Sequence, residues 1–338
     1  MILSSVVYAS GLIIRSIRSQ SIAAGSLLAF IFWTLMVNGY YEATSPYGGF
    51  IKYSLYYVFN AYLFFATYAV LSLRRDDKAS EFLQKAVIIA LCLQLPLALT
   101  IPNDGFREIG TFNNPNQLGY FAVTAVAVVV ALNSHRPINK MVFISLVPAS
   151  FLVAMTFSKA AIASLVVMLA MFALHSITRV RTIVIFALVV GAIYYYVQKT
   201  GYAELVIDRF SNLSIGGDDS AAGRGYDRLV LNMEYLILGA GEGAYKVGRF
   251  ESMLQNEMHS TFGNMLFAYG ITGFSLFLFF LYRCLSRSTL IVNIAFFSGP
   301  FLYGITHNGI RSGLLWVLLA AMIAAKTRTP VPGDNNWR

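Results

Sequence analysis

Ten apolar runs, each close to the length needed to cross a bilayer, leave few folds open to this chain. They fall at about residues 20–38, 52–72, 86–101, 117–132, 141–157, 160–177, 182–197, 260–282, 289–306 and 312–325. A hydrocarbon core about 30 Å thick is spanned by roughly 20 apolar residues in an α-helix, which pairs every backbone N–H and C=O within the segment. With 57% hydrophobic and 12% charged residues, the chain has too little polar surface to cover a soluble domain of 338 residues. The expected fold is all-α, a polytopic transmembrane helical bundle of about 10–11 spans. The eleventh would come from residues 1–14, apolar but short, which read either as an interfacial helix or as the remnant of a span. No cleavable signal sequence is evident.

The net charge of +9 would point to nucleic acid in a soluble protein, but its distribution points elsewhere. If alternate connections face opposite sides, one side collects fifteen Lys and Arg against four acids, and the other ten against twelve. Short cation-rich loops stay in the cytoplasm, which places the fifteen-cation side there and the longest loop outside. Cys92 and Cys284 lie far apart in this topology, so neither a disulfide nor thiol chemistry is expected.

That loop divides the chain. Residues 1–197 form N-terminal transmembrane helices, 198–259 an outer (periplasmic) loop with short helices and the chemistry, 260–325 C-terminal transmembrane helices, and 326–338 a cytoplasmic tail. Within the loop, Arg224 and Arg228 stand one helical turn apart, followed at the same spacing by Leu231 and Tyr235, which predicts a helix with both cations on one face. Two guanidiniums so placed could each chelate phosphate oxygens with a planar fork of donors, and the plain alternative is a solvated face paired with Asp227 and Glu234. The run Gly239-Ala240-Gly241-Glu242-Gly243 lacks a βαβ unit around it and reads as a tight turn rather than a dinucleotide site. Asp218 and Asp219 diverge as neighbours and have no His or Glu nearby, so no metal is expected.

Other candidates sit where runs begin or end. Asn114-Pro115 can cap and start the fourth span, with Asn116 following and Arg107 just outside near a positive helix terminus. Ser158 caps the sixth run and Lys159 opens it, where a snorkelling lysine is the ordinary explanation. Glu251, Gln255 and His259 recur every four residues, and a histidine oriented by such neighbours can serve as a general base near neutral pH. His307 and Arg311 lie four apart at the outer start of the last run and could add to a basic cup.

Taken together, Arg107, Gly110, Phe112 and Asn114-Pro115-Asn116 before one span, Ser158-Lys159 opening another, Gly223-Arg224, the glycines 239, 241 and 243, and His259 ahead of Gly270-Ile271-Thr272-Gly273 form a pattern. Over most of residues 100–282 it resembles the O-antigen ligase and polymerase superfamily of bacterial envelope enzymes. Lys159 and Ser260 stand where that family more often has Arg and Asn. The resemblance implies a glycosyltransferase of the bacterial inner membrane, active on its periplasmic face. An undecaprenyl-diphosphate-linked glycan would be the donor, transferred with inversion, without metal or other cofactor, to a hydroxyl of lipid A core or of another lipid-linked glycan. Ligase activity in lipopolysaccharide biosynthesis and repeat-unit polymerisation of O-antigen or exopolysaccharide share this donor chemistry. On this reading His259 removes the acceptor proton, Arg107 and Arg224 bind the diphosphate, and Arg228 and Lys159 assist. Asn114, Asn116, His307 and Arg311 complete the candidate set. The competing class is a lipid or polysaccharide transporter, against which stands the lack of Asp or Glu in the middle of any run and of repeat symmetry. Nucleic acid is not an expected partner.

Overall fold

A computed structural model describes residues 21–46, 48–73, 78–101, 107–133, 140–176, 221–246, 250, 252, 256–287 and 291–327, together with a few isolated positions. Nine long helices account for most of them: α1 (Ser21–Thr44), α2 (Ile51–Leu73), α3 (Lys78–Thr100), α4 (Pro115–Leu132), α5 (Lys140–Thr156), α6 (Lys159–Ser176), α8 (Thr261–Arg287), α9 (Ile291–Thr306) and α10 (Gly313–Thr327). A one-turn helix, α7 (Arg228–Leu231), and two 3₁₀ turns (Met233–Leu236 and Ala244–Lys246) lie in the loop before α8. Each long helix coincides with one of the apolar runs, and no strand occurs among the described residues. The run at 182–197, Asp218–Asp219, Glu251, Gln255 and nearly all of residues 1–14 lie outside the described residues.

Five helices (α1–α4 and α8) are both long and apolar enough to cross a membrane, and α5, α6 and α10 contain shorter apolar segments. Large apolar side chains cover the outside: Phe32, Phe59, Phe82 and Leu93 are all more than half exposed. Such a surface would associate in water and is at home in lipid. The protein is therefore an all-α, multi-pass membrane protein.

α4 is the central helix. It packs against α3, α5, α6, α9 and α10. Its sequence explains the position: Ala122 to Ala131 is an unbroken series of Ala, Val and one Thr, buried on every side, so the helix has no lipid face to present. Small side chains also let partners approach closely in lipid. A Cβ at Gly119 would come within 2.7 Å of Ala161 on α6. Asn114 caps α4 as expected, its Oδ1 accepting from the Gln117 N–H at 2.9 Å, with Pro115 at the first helical position.

The described segments that follow α1, α3, α5 and α9 or precede α8, among them 107–114, 157–158, 256–260 and 307–312, lie at one end of the bundle. Arg107 and Glu108 tie two of them together, donating to the carbonyls of Thr156 (2.7 Å) and Met155 (3.1 Å) that end α5. Thr261, at the start of α8, holds the turn after α9, donating from N and Oγ1 to the His307 carbonyl and accepting from the Gly309 N–H.

Candidate functional site

The glycine-rich run is not a free turn but a strap laid into the bundle. Gly270 breaks α8 with φ 64° and ψ −175°, a conformation essentially restricted to glycine. The break removes helical donors from the carbonyls of Phe267, Ala268 and Tyr269. Those carbonyls are taken by Ala240 N–H (2.9 Å), Gly241 N–H (2.9 Å) and Trp33 Nε1 (2.8 Å). The approach is so close that a Cβ at Gly239, also at positive φ, would lie 2.3 Å from the Ala268 carbonyl oxygen.

The strap delivers Glu242, 1% exposed, into the space between α1, α2 and α8. Tyr57 and Tyr269 each donate to its Oε2 at 2.7 Å, Asn264 donates to Oε1 at 3.2 Å, and the Glu242 N–H donates to Asn38 Oδ1 at 2.9 Å. Arg311 closes the set, its Nε and Nη2 lying 3.1 and 2.5 Å from Glu242 Oε1. The same guanidinium holds Glu257, with Nη2 at 2.6 Å from Oε1 and Nη1 at 3.1 Å from Oε2, and sits 4.7 Å from the centre of the Tyr53 ring. Burial works against the charge of Arg311, but the two carboxylates outweigh it and hold the group more firmly protonated than an ordinary arginine. Burial first, and then the neighbouring Glu242, push the Glu257 carboxyl above the usual range, while Arg311 and Asn308 oppose the shift.

Glu257 and Arg311 form one wall of a cavity of about 420 Å³ at the loop end of the bundle. Phe112, Tyr120 and Phe121 supply an aromatic side, and Asn114, Asn116, His259, Tyr303 and His307 line the remainder. The volume falls within the roughly 300–1,000 Å³ of small-molecule sites. The rings of His307, Tyr303 and Tyr120 form a stack, with centroids 4.7 and 4.5 Å apart, and His259 lies 6.5 Å from His307. The Thr306 hydroxyl donates to the Tyr303 carbonyl and lies 3.1 Å from His307 Nδ1. One hydroxyl hydrogen serves one acceptor well, so with it on the carbonyl, Nδ1 donates and Nε2 of the neutral ring carries the lone pair.

Five of the candidate site residues line this cavity, Asn114, Asn116, His259, His307 and Arg311, as does Phe112 of the same sequence pattern. Arg107 and Arg224 stand just behind it. Arg107 donates from Nη2 to Asn116 Oδ1 at 2.8 Å, and Arg224 from Nη1 to the Thr306 carbonyl at 2.6 Å. The Tyr303 hydroxyl donates to the carbonyl of the same Asn116. The Arg224 carbonyl accepts from the His259 N–H at 3.0 Å, joining the loop to the start of α8.

Two expectations require correction. Arg224 and Arg228 do not share a helical face, because residues 221–227 form turns and α7 begins only at Arg228. Arg228 is 2% exposed, packs its guanidinium 4.4 Å from the centre of the Phe250 ring, and donates to Ser252 Oγ and the Asn256 carbonyl. It is a packing residue of the loop, outside the cavity lining, and burial lowers its pKa to about 10. Lys159 is half-buried at the start of α6 and, like Arg107 and Arg224, is not among the lining residues. Finally, Arg311 is not one more cation of a basic cup, since its charge is matched by Glu242 and Glu257. Those two acids were missed. Glu242 could have been flagged as the one charge in an otherwise small and apolar run, a pattern that calls for a buried partner.

Among the described residues, no three His, Cys, Asp or Glu side chains converge as a metal site would require. A scan of the sequence against protein-family models finds no match, and a comparison with curated proteins finds none either.

Proposed function

We propose that the protein is a membrane glycosyltransferase that moves a glycan from a lipid diphosphate onto a sugar hydroxyl at the outer face of the bacterial inner membrane. The observation that carries this reading is the cavity: two imidazoles line it, and two guanidiniums are anchored beside it, at Asn116 and at the Thr306 carbonyl. Transfer from a diphosphate needs cations where charge builds on the leaving group and a proton acceptor near the attacking hydroxyl. In the step assigned here, the acceptor oxygen bonds to the anomeric carbon as the bond from that carbon to the diphosphate oxygen breaks. The electron pair leaves with the lipid diphosphate, stabilised by Arg107 and Arg224, and the hydroxyl proton passes to His259. The bonds that Arg107 makes to Thr156 and Asn116, and Arg224 to Thr306, fix both guanidiniums before substrate arrives, which is how such groups lower a barrier most effectively. The acceptor is a lipid A core in an O-antigen ligase, the function favoured here, and a second lipid-linked chain in a repeat-unit polymerase.

The test is reconstitution with an undecaprenyl-diphosphate-linked glycan and both acceptors. Transfer by the wild type, reduced about 100- to 1,000-fold in Arg224→Ala and His259→Ala proteins that still fold, supports the reading. Wild-type activity in both variants refutes the site.

A second reading is transport, favoured by one observation: the buried Glu242–Arg311 pair places ionisable groups inside the bundle, as ion-coupled carriers do. Glycan flux across proteoliposomes driven by a proton gradient, with no glycosidic product, would select it.

A further inference from the structure

The groups around the cavity fall into two chemical sets. Arg107 and Arg224 are anchored to Asn116 and Thr306. Glu257 is the one carboxylate among the lining residues. Arg311 lies beside Glu257 but already faces two carboxylates, so with both ionised the cluster carries a net negative charge. A diphosphate would be repelled from this wall.

The hydrogen-bonding capacity of the wall says what it would accept. Asn308 also lines the cavity and donates its amide N–H to Glu257 Oε1. That bond to a carboxylate fixes which way the amide faces, because only its nitrogen can donate. Asn308 Oδ1 is left buried, with no hydrogen-bond partner among the described residues. A buried polar atom in that state calls for a donor. A carboxylate and an amide oxygen side by side offer only acceptors, which suits the O–H donors of a polyol and not the oxygens of a phosphate. Phe112 and Phe121, which also line the cavity with ring centres 5.3 Å apart, offer apolar surface against which the C–H face of a sugar ring can pack.

We propose that the Glu257–Asn308 wall is a sugar-hydroxyl subsite that holds the acceptor glycan, with Glu242 and Arg311 as the positioning pair behind it. The assignment rests on the glycosyltransferase reading and divides the cavity between the two substrates: diphosphate toward Arg107 and Arg224, acceptor toward Glu257. Glu257 is set for this task by three bonds, two from Arg311 and one from Asn308, which leave its carboxylate little rotational freedom. Arg311 is itself fixed from behind by Glu242.

The experiment uses the full-length protein in nanodiscs. Binding of undecaprenyl diphosphate, which carries no sugar, is measured beside transfer from the glycan-linked donor to rough lipopolysaccharide and to a second lipid-linked glycan. Glu257→Gln keeps the shape but presents one amide donor in place of an acceptor, and Asn308→Ala removes the second acceptor. Glu257→Gln is expected to raise the acceptor KM about 10- to 100-fold, the usual weight of a hydrogen bond to a charged group, and Asn308→Ala, which removes a neutral acceptor, about 3- to 10-fold. Undecaprenyl diphosphate affinity and kcat at saturating acceptor should stay within about twofold of wild type. A purely structural lesion would lower kcat and donor binding together, and that result overturns the proposal, as does an unchanged acceptor KM in both variants. A rise confined to the KM of the glycan-linked donor overturns it too, by giving the wall to the donor's sugars. Failure of the parent reading looks different: wild-type protein then neither binds undecaprenyl diphosphate nor makes product.

Discussion

Arg311 Nη2 lies 2.5 Å from Oε1 of Glu242, a carboxylate that is 1% exposed and reaches the bundle on a loop. Removing one member of a buried ion pair typically costs about 3–5 kcal/mol, because the other charge is left without its partner. Arg311→Met should therefore be among the most destabilising substitutions in the protein. It leaves the already raised carboxyl of Glu257 beside a second acid with no cation between them, so the variant should be less unstable at pH 5 than at pH 8. Thermal unfolding in detergent across that range checks this, and a loss independent of pH would contradict it.

Replacing either glycine at the break in α8 should be nearly as harmful. A Cβ at Gly270 would sit 2.2 Å from the Ile237 carbonyl oxygen, and one at Gly239 2.3 Å from that of Ala268. Both contacts are with backbone, which cannot rotate away, and both residues have positive φ. Strain of this kind costs about 1–3 kcal/mol before the clash is counted. Gly270→Ala and Gly239→Ala should each lower the melting temperature clearly, while Gly25→Ala on α1, helical and with nothing within 4 Å, should not lower it.

Glu257 should leave a mark on the pH dependence of stability. Its carboxyl is raised in the folded protein, by burial and by Glu242, above the value of about 4.3 for an exposed glutamate. Between the two values the folded state binds more protons than the unfolded chain, so this group's contribution to stability declines as pH rises through that window. Melting curves stepped upward from pH 4.3 should show the decline in wild type and a flatter profile in Glu257→Gln.

The arginines should separate by role. Arg107→Ala and Arg224→Ala are expected to lose transfer by about 100-fold or more with modest loss of stability. Arg228→Met keeps an apolar stem against Phe250 and should retain transfer in whatever fraction of the protein folds. Specific activity per folded molecule, taken from a size-exclusion peak, distinguishes the two classes.

The helices could be read from the sequence because lipid demands a run of apolar residues for each crossing, and that signal is local. The caps at Asn114 and Ser158 were local as well. The site was legible in part for the same reason: His259, His307, Asn114 and Asn116 lie at helix ends that fix their position. Glu242 and Glu257 were not legible, since what defines them is Arg311, 69 and 54 positions away. The pairing of Arg224 with Arg228 failed because four-residue spacing has meaning only inside a helix. The residues from 221 to 227 form turns instead.

The way Ala240 and Gly241 complete the hydrogen-bonding of α8 constrains the order in which the protein can be built. Trp33, synthesised early, finds its partner only when Tyr269 has emerged, and Asn38, which can bond Ser54 of α2 at once, completes its set only with Tyr269 and Glu242. Until then α1 carries an indole N–H with no lasting mate in an apolar setting, where such a group costs several kcal/mol. The first spans can be inserted one at a time, but the polar interior of the bundle sets as a single late event, and the cavity comes into being with it.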